Sequence, residues 1–131
     1  ICRIELQKPD TEKRLLGSVN LALKKGEIRV FSIDGKTVGF LMFKFTKKTP
    51  YGIDYGDHEI KFCWIEWMYV DKKYRRKGIG SLMHKDIVSI CKKRKVKEMM
   101  LDVFQVNPDA RAFYLNEGFS EFISIFRERI K

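Results

Sequence analysis

Hydrophobic positions along this chain follow two periods, and the switches between them mark out the elements. Leu15, Val19, Ala22 and Leu23 recur at helical spacing; Asp10-Thr11 supplies a cap ahead of them and Gly26 ends the pattern, so a helix comes first. Residues 27–33 and 36–46 are β-branched and aromatic, and Asp34-Gly35 between them is the two-residue turn of a hairpin. Residues 47–59 hold Pro50, Gly52 and Gly56 among Tyr51, Asp54, Tyr55, Asp57 and His58, which is loop chemistry. The run 60–70, IKFCWIEWMYV, is apolar almost throughout and predicts a central strand covered on both faces.

Past a basic connector, Met83, Ile87, Ile90 and Cys91 line one face of a predicted helix over residues 78–95, with Lys85, Lys92 and Lys93 elsewhere on it. Residues 99–104 read as a second buried strand. Asn107-Pro108-Asp109 starts a short helix over 110–117 that Gly118 closes, and 119–130 supplies a final strand region. The order is helix, strand, strand, strand, helix, strand, helix, strand, an α/β (α+β) arrangement with a mixed sheet and a βαβ unit at its centre.

Composition narrows the class. With 131 residues, 44% hydrophobic and 34% charged, the chain has material for one globular core and not for two. No apolar run approaches the ~20 residues that span a bilayer, and the first residues lack the apolar stretch of a signal peptide, so a cytoplasmic protein is expected. Cys2, Cys63 and Cys91 are odd in number and match no metal or redox spacing; they read as reduced thiols, with Cys63 and Cys91 packed in the interior. Lys and Arg number 27 against 17 Asp and Glu, a formal charge of +10 that attracts polyanions without saying whether nucleic acid, an acidic surface or a phosphorylated cofactor is meant.

Placement of the charge carries more. Tyr74-Arg75-Arg76-Lys77-Gly78-Ile79-Gly80-Ser81 lies between a buried strand and an amphipathic helix. Gly78 and Gly80 let an anion approach the backbone, the first-turn amides of the helix point at it, and Arg75, Arg76 and Lys77 add positive charge. This is a diphosphate site built from backbone donors and a helix dipole, with no metal called for. The spacing is neither that of a Walker loop nor that of the dinucleotide fingerprint, whose third glycine position is Met83. By itself the string also fits a glycine-eased turn into a helix.

Read together with Asn107-Pro108-Asp109-Ala110-Arg111-Ala112-Phe113-Tyr114-Leu115-Asn116-Glu117-Gly118-Phe119, the connector resembles the GNAT superfamily of N-acetyltransferases. Arg75, Gly78 and Gly80 fall on that family's R/Q-x-x-G-x-G/A positions, and Asn107, Ala110, Phe113, Tyr114, Gly118 and Phe119 match its N-x-x-A-x-x-F-Y-x-x-x-G-F pattern. The resemblance implies one N-acetyltransferase domain over residues 1–131, with a mixed, mostly antiparallel sheet, a splayed parallel strand pair and about four flanking helices. It implies acetyl-CoA as acyl donor, held by Met68, Tyr69 and Val70 through pantetheine amides, by residues 75–81 (Ile79 and Ser81 included) through the diphosphate, and by Asn107, Ala110, Phe113 and Tyr114.

Transfer from a thioester to an amine needs a neutral nitrogen, a polarised carbonyl and a proton for the leaving thiolate. The resemblance puts Tyr114 in the position of the proton donor, its alternative being an aromatic packing residue. It also places a backbone N–H near Met68–Val70 at the carbonyl. Glu66, in an apolar strand where an ionised carboxylate is costly unless partnered or functional, is the expected base, with Asp102 as competitor. His84 reads as exposed on the polar side of its helix. Cys63 has no His adjacent in sequence and is not expected to be an acyl nucleophile.

The rival from another class is a nucleic-acid module, motivated by KKYRRK at 72–77 and KKRKVK at 92–97. The first run suits the phosphates of CoA, the second ends a helix where cations complement the dipole, and interleaved exposed aromatics are lacking apart from Tyr74, so nucleic acid is not expected. A catalytically silent CoA-binding domain is the other alternative. The amine acceptor stays open, since the first helix and the 47–59 loop would choose it, and a homodimer paired through the late strands is compatible with the resemblance.

Overall fold

The computed structural model describes residues 20, 23–25, 27–48 and 61–130. Strands β1 (Ile28–Ile33) and β2 (Lys36–Thr46) form the expected hairpin, with Ile33 opposite Lys36. Asp34 and Gly35 both take positive φ, 51° and 78°, the pair of left-handed residues that matches the twist of two adjoining strands. Strand β3 (Phe62–Val70) pairs antiparallel with β2, from Thr46 opposite Phe62 to Gly39 opposite Val70. Gly39 is required there, because a Cβ would stand 2.4 Å from the Tyr69 carbonyl oxygen.

Helix α1 (Ile79–Lys93) follows a short 3-10 turn at Lys72–Tyr74 and returns the chain to β4 (Met99–Met100), parallel to β3. Helix α2 (Pro108–Glu117) comes next, and the sheet order is β1-β2-β3-β4. Ile79, Met83, Ile87 and Cys91, four residues apart, are the buried face of α1. They meet Val38, Leu41, Phe43, Cys63, Ile65, Met68 and Val70 of the sheet, with Ala110 and Tyr114 of α2 closing the cluster. Side chains such as Met83 and Ile87, at 0% exposure, each contribute about 1.5–3 kcal/mol through burial. The Arg29 guanidinium straps β1 to α1 through a two-pronged contact with Asp86 at 2.9 and 3.1 Å.

Several expectations need correction. The strand expected over 99–104 is cut to two residues, because β3 pairs with it only at Cys63 and Trp64. The final strand expected over 119–130 is absent: these residues lie in neither helix nor strand, and 121–130 are exposed throughout. Alternation makes a strand only where a ladder is on offer, and β4 stops too early to offer one. His84 is half-buried, its ring 5.3 Å from that of Phe119, and not simply exposed. Residues 20 and 23–25 are helical as expected, while the rest of the first helix, most of the 47–59 loop and Cys2 lie outside the described residues.

Candidate functional site

The connector after β3 is held open at its working end. The Asp71 amide donates to the Val38 carbonyl at 2.7 Å, and the Asp71 carboxylate accepts from the Lys73 amide at 2.9 Å, which fixes the 3-10 turn. Arg75 then folds back: Nε donates to the Val70 carbonyl at 2.8 Å and the guanidinium lies 5.6 Å over the Tyr69 ring. Arg76 and Gly78 adopt left-handed φ of 61° and 82°, turning the backbone into the head of α1. Gly78 is the N-cap residue of α1 and, having no side chain, provides no cap; the first turn holds no acidic residue. The amides of Ile79, Gly80 and Ser81 are therefore left, with the positive end of the dipole, to an outside acceptor.

Helix α2 is built to face the same space. Asn107 Oδ1 accepts from the Ala110 amide at 3.2 Å and Pro108 opens the first turn. The helix is stopped by Gly118 at φ 110°, with the Gly118 amide donating to the Leu115 carbonyl and the Phe119 amide to that of Tyr114. Between the two helix heads lies a cavity of about 470 Å³. It is lined by Val70, Arg75, Arg76, Gly78, Ile79, Gly80 and Ser81 from the connector and α1, and by Asn107, Ala110 and Phe113 from α2. Ten residues expected to hold the donor thus share one wall system, although the two segments are distant in sequence.

Four expected residues stand outside that lining. Met68 is in the core, Tyr69 is half-buried on β3 beneath Arg75, and Lys77 is exposed with its ammonium 5.6 Å over the Tyr74 ring. Tyr114 is 6% exposed, one turn beyond Ala110 on the same face, with its ring edge-on to Phe113 and Phe119. The structure adds Tyr74 and Asp109 to the lining. Each lies inside a motif already singled out, but neither Tyr in a basic run nor Asp at a helix start carries a mark of a cavity wall.

Glu66 does not line that cavity; it sits at a fault in the sheet. Met42 pairs with Trp67 and Phe43 with Ile65, which leaves Glu66 as the extra residue of a β-bulge. The β3–β4 ladder ends at Trp64, just before that bulge, so the two parallel strands part where Glu66 is presented. Glu66 is half-buried, and burial pushes its carboxyl above the usual carboxylate range; Lys44 and Lys25 pull it down and Glu27 adds to the rise. Asp102 is exposed and lies beyond the end of β4.

Cys63 and Cys91 are buried and free, as expected, and their thiols meet: the hydrogen bond to Cys91 and burial push the Cys63 thiol up, which removes it as a nucleophile. Among the described residues no group of three His, Cys, Asp or Glu is placed to hold a metal ion, and no helix is long and apolar enough to cross a membrane.

Residues 5–119 match the model of the acetyltransferase (GNAT) family. The chain belongs to that family. The match takes in both the connector and the α2 motif, and it makes this chain a GNAT N-acetyltransferase. No curated protein matches it by sequence. Among solved structures it is similar to the aminoglycoside antibiotic 6'-N-acetyltransferase AAC(6')-IG from Acinetobacter haemolyticus, at 18% identity over 95% of this chain and 86% of that one, with a TM-score of 0.70. It is similar to AAC(6')-Iy in complex with the bisubstrate analogue CoA-S-monomethyl-acetylneamine, at 16% identity, 96% and 84% coverage and a TM-score of 0.74. A mutant of the BH1408 protein from Bacillus halodurans gives 25% identity, 98% and 80% coverage and a TM-score of 0.76. The mixed sheet, antiparallel with one parallel pair, matches GNAT folds.

Proposed function

We propose that this GNAT protein moves an acetyl group from acetyl-CoA directly to a primary amine of a small molecule or a peptide, within a ternary complex. The observation that carries the reading is the uncapped head of α1, its turn set by left-handed Arg76 and Gly78, in one cavity with the head of α2. The family supplies the acetyl chemistry, and AAC(6')-Iy, bound to a CoA-based bisubstrate analogue, supports CoA as the carrier and an amine as the acceptor.

The residues present fit a diphosphate-bearing donor. Amides of Ile79, Gly80 and Ser81 cradle an anion without a metal, while Arg75, Arg76 and Lys77 make the local potential more positive and so favour it. Arg75 is held by Val70 and Tyr69, so its charge is pre-placed. The β3–β4 ladder ends well short of Met68, Tyr69 and Val70, which leaves room beside that edge for amides of an extended donor arm. Bound acetyl-CoA would supply the activated thioester carbonyl.

Glu66 takes the proton of the acceptor ammonium, through a water, and holds it; burial raises its affinity for protons, which suits a base. A backbone N–H near Met68–Val70 polarises the carbonyl, and Tyr114 gives its proton to the leaving thiolate. Asp102, exposed past β4, is the less favoured carboxylate.

The test is thermal unfolding with acetyl-CoA at moderate salt, followed by thiol release over a panel of amines. A ligand at ~100 times its Kd adds ~2.7 kcal/mol, so Tm rises with donor concentration and one or more amines release CoA. No rise at any donor concentration removes the reading. A rise with no thiol release from any amine reduces the protein to a CoA-binding domain.

A further inference from the structure

Glu27 is the one charged side chain found buried among the described residues, at 7% exposure, and its place in the sheet explains why. Alternate amides of β2 point toward β1, so those of Phe43 and Phe45 both look for partners on that side. The Phe43 amide donates to the Glu27 carbonyl oxygen at 3.1 Å. Main-chain pairing then runs out, and the Phe45 amide donates instead to the Glu27 carboxylate, Oε2 at 3.2 Å. One side chain thus stands in for a missing stretch of strand.

The portion of β2 gripped in this way matters for what lies across it. Phe43, Lys44 and Phe45 are opposite Ile65, Trp64 and Cys63, the residues that lead into the bulge at Glu66. We propose that Glu27 is a positioning residue for the Glu66 base: its carboxylate completes the β1 ladder at Phe45 and keeps a second negative charge beside the bulge. The inference rests on the reading of Glu66 as base. Charges reaching Glu66 are those of Lys44 on β2, Lys25 ahead of β1, and Glu27; the two cations ease its ionisation and Glu27 opposes it. A carboxyl kept protonated to higher pH by a fixed neighbour is a stronger base in the working range.

Glu27→Gln separates the two duties, since the amide oxygen still accepts from Phe45 while the charge is gone; Glu27→Ala removes both. The direct measurement is the titration of the Glu66 carboxyl by carbon-13 NMR in the ligand-free protein, beside the pH profile of kcat/KM with an amine that the thiol-release panel identifies. In Glu27→Gln the Glu66 titration and the acidic limb of kcat/KM move to lower pH together, with the KM for acetyl-CoA unchanged. Glu27→Ala in addition lowers kcat by roughly tenfold to a hundredfold as the bulge loses its support. An unchanged Glu66 titration in Glu27→Gln overturns the proposal, even if Glu27→Ala fails to fold. If instead Glu66→Gln keeps full activity while the Glu66 titration still moves in Glu27→Gln, it is the base assignment that falls, so the two failures are told apart.

Discussion

At the head of α1 the groups proposed to work are consecutive main-chain amides, whereas at the bulge they are two carboxylates, Glu27 just ahead of β1 and Glu66 in the middle of β3. Amides need no burial to keep their polarity and no partner to set their protonation, so the donor half depends on backbone shape: two left-handed residues and a helix with an open end. The bulge half depends on environment. Glu66 has its proton affinity set by burial and by three charged neighbours, and small changes in packing reach its chemistry. Substitutions in the donor half should therefore change affinity, and those at the bulge should change rate and pH dependence.

The largest effect expected from this contrast is on rate. Glu66→Gln removes the proposed base and should lower kcat/KM by about 10²–10⁴ with the donor Kd unchanged, as measured by thiol release and by titration with acetyl-CoA. The same variant has a stability signature of known sign. Burial raises Glu66 above its unfolded value, so folding favours the protonated form and the ionised carboxylate subtracts stability at neutral pH. Glu66→Gln should melt slightly higher than the parent near pH 7, and that advantage should fade as pH falls through the raised value and be gone below the ordinary carboxylate range. A donor Kd that changes as much as the rate would break the division between the two halves.

Gly78→Ala probes the other half. A Cβ at Gly78 meets nothing within 4 Å, so the penalty is conformational: φ is 82°, and a left-handed L-residue costs about 1–2 kcal/mol. Relief of that strain would turn the Ile79–Ser81 amides away from the anion. The expected result is a KM for acetyl-CoA raised about tenfold, with kcat at saturating donor and the pH profile both retained. A fall in kcat alone would mean that the turn serves the chemistry and not the binding.

The same contrast explains what the sequence made legible. Residues 75–81 are contiguous, so a string of glycines and cations on a strand-to-helix frame is enough to mark the turn into α1 that lines the cavity; Asp34-Gly35 and the four-residue repeat of α1 are legible for the same local reason. Pairing is not local. Whether 101–104 and 119–130 become strands depends on a neighbour, and β3 leaves β4 after Trp64, so hydrophobic alternation there misleads. The site of the bulge follows from the register between β2 and β3, and the tie from Glu27 to Phe45 spans segments whose own patterns say nothing of each other. Glu66 stands out as a carboxylate in an apolar run; Glu27, at the edge of a predicted strand next to a helix end, has no such signal.

The smallest effect belongs to Asn107, where support and binding meet in one side chain. Its Oδ1 caps α2 through the Ala110 amide, while the residue lines the donor cavity. Asn107→Ala loses the cap and should destabilise the fold by about 1 kcal/mol in chemical denaturation, with a modest rise in the KM for acetyl-CoA as the head of α2 loosens. Asn107→Asp keeps a good cap and favours the helix dipole, so stability should hold, yet it sets a negative charge on the wall that is to face a diphosphate. If the cavity is the donor site, Asn107→Asp weakens acetyl-CoA binding more than Asn107→Ala does while melting higher, an inversion that a purely structural cap would not produce. Equal donor affinity in the two variants would place the anion away from α2 and leave the head of α1 to hold it unaided.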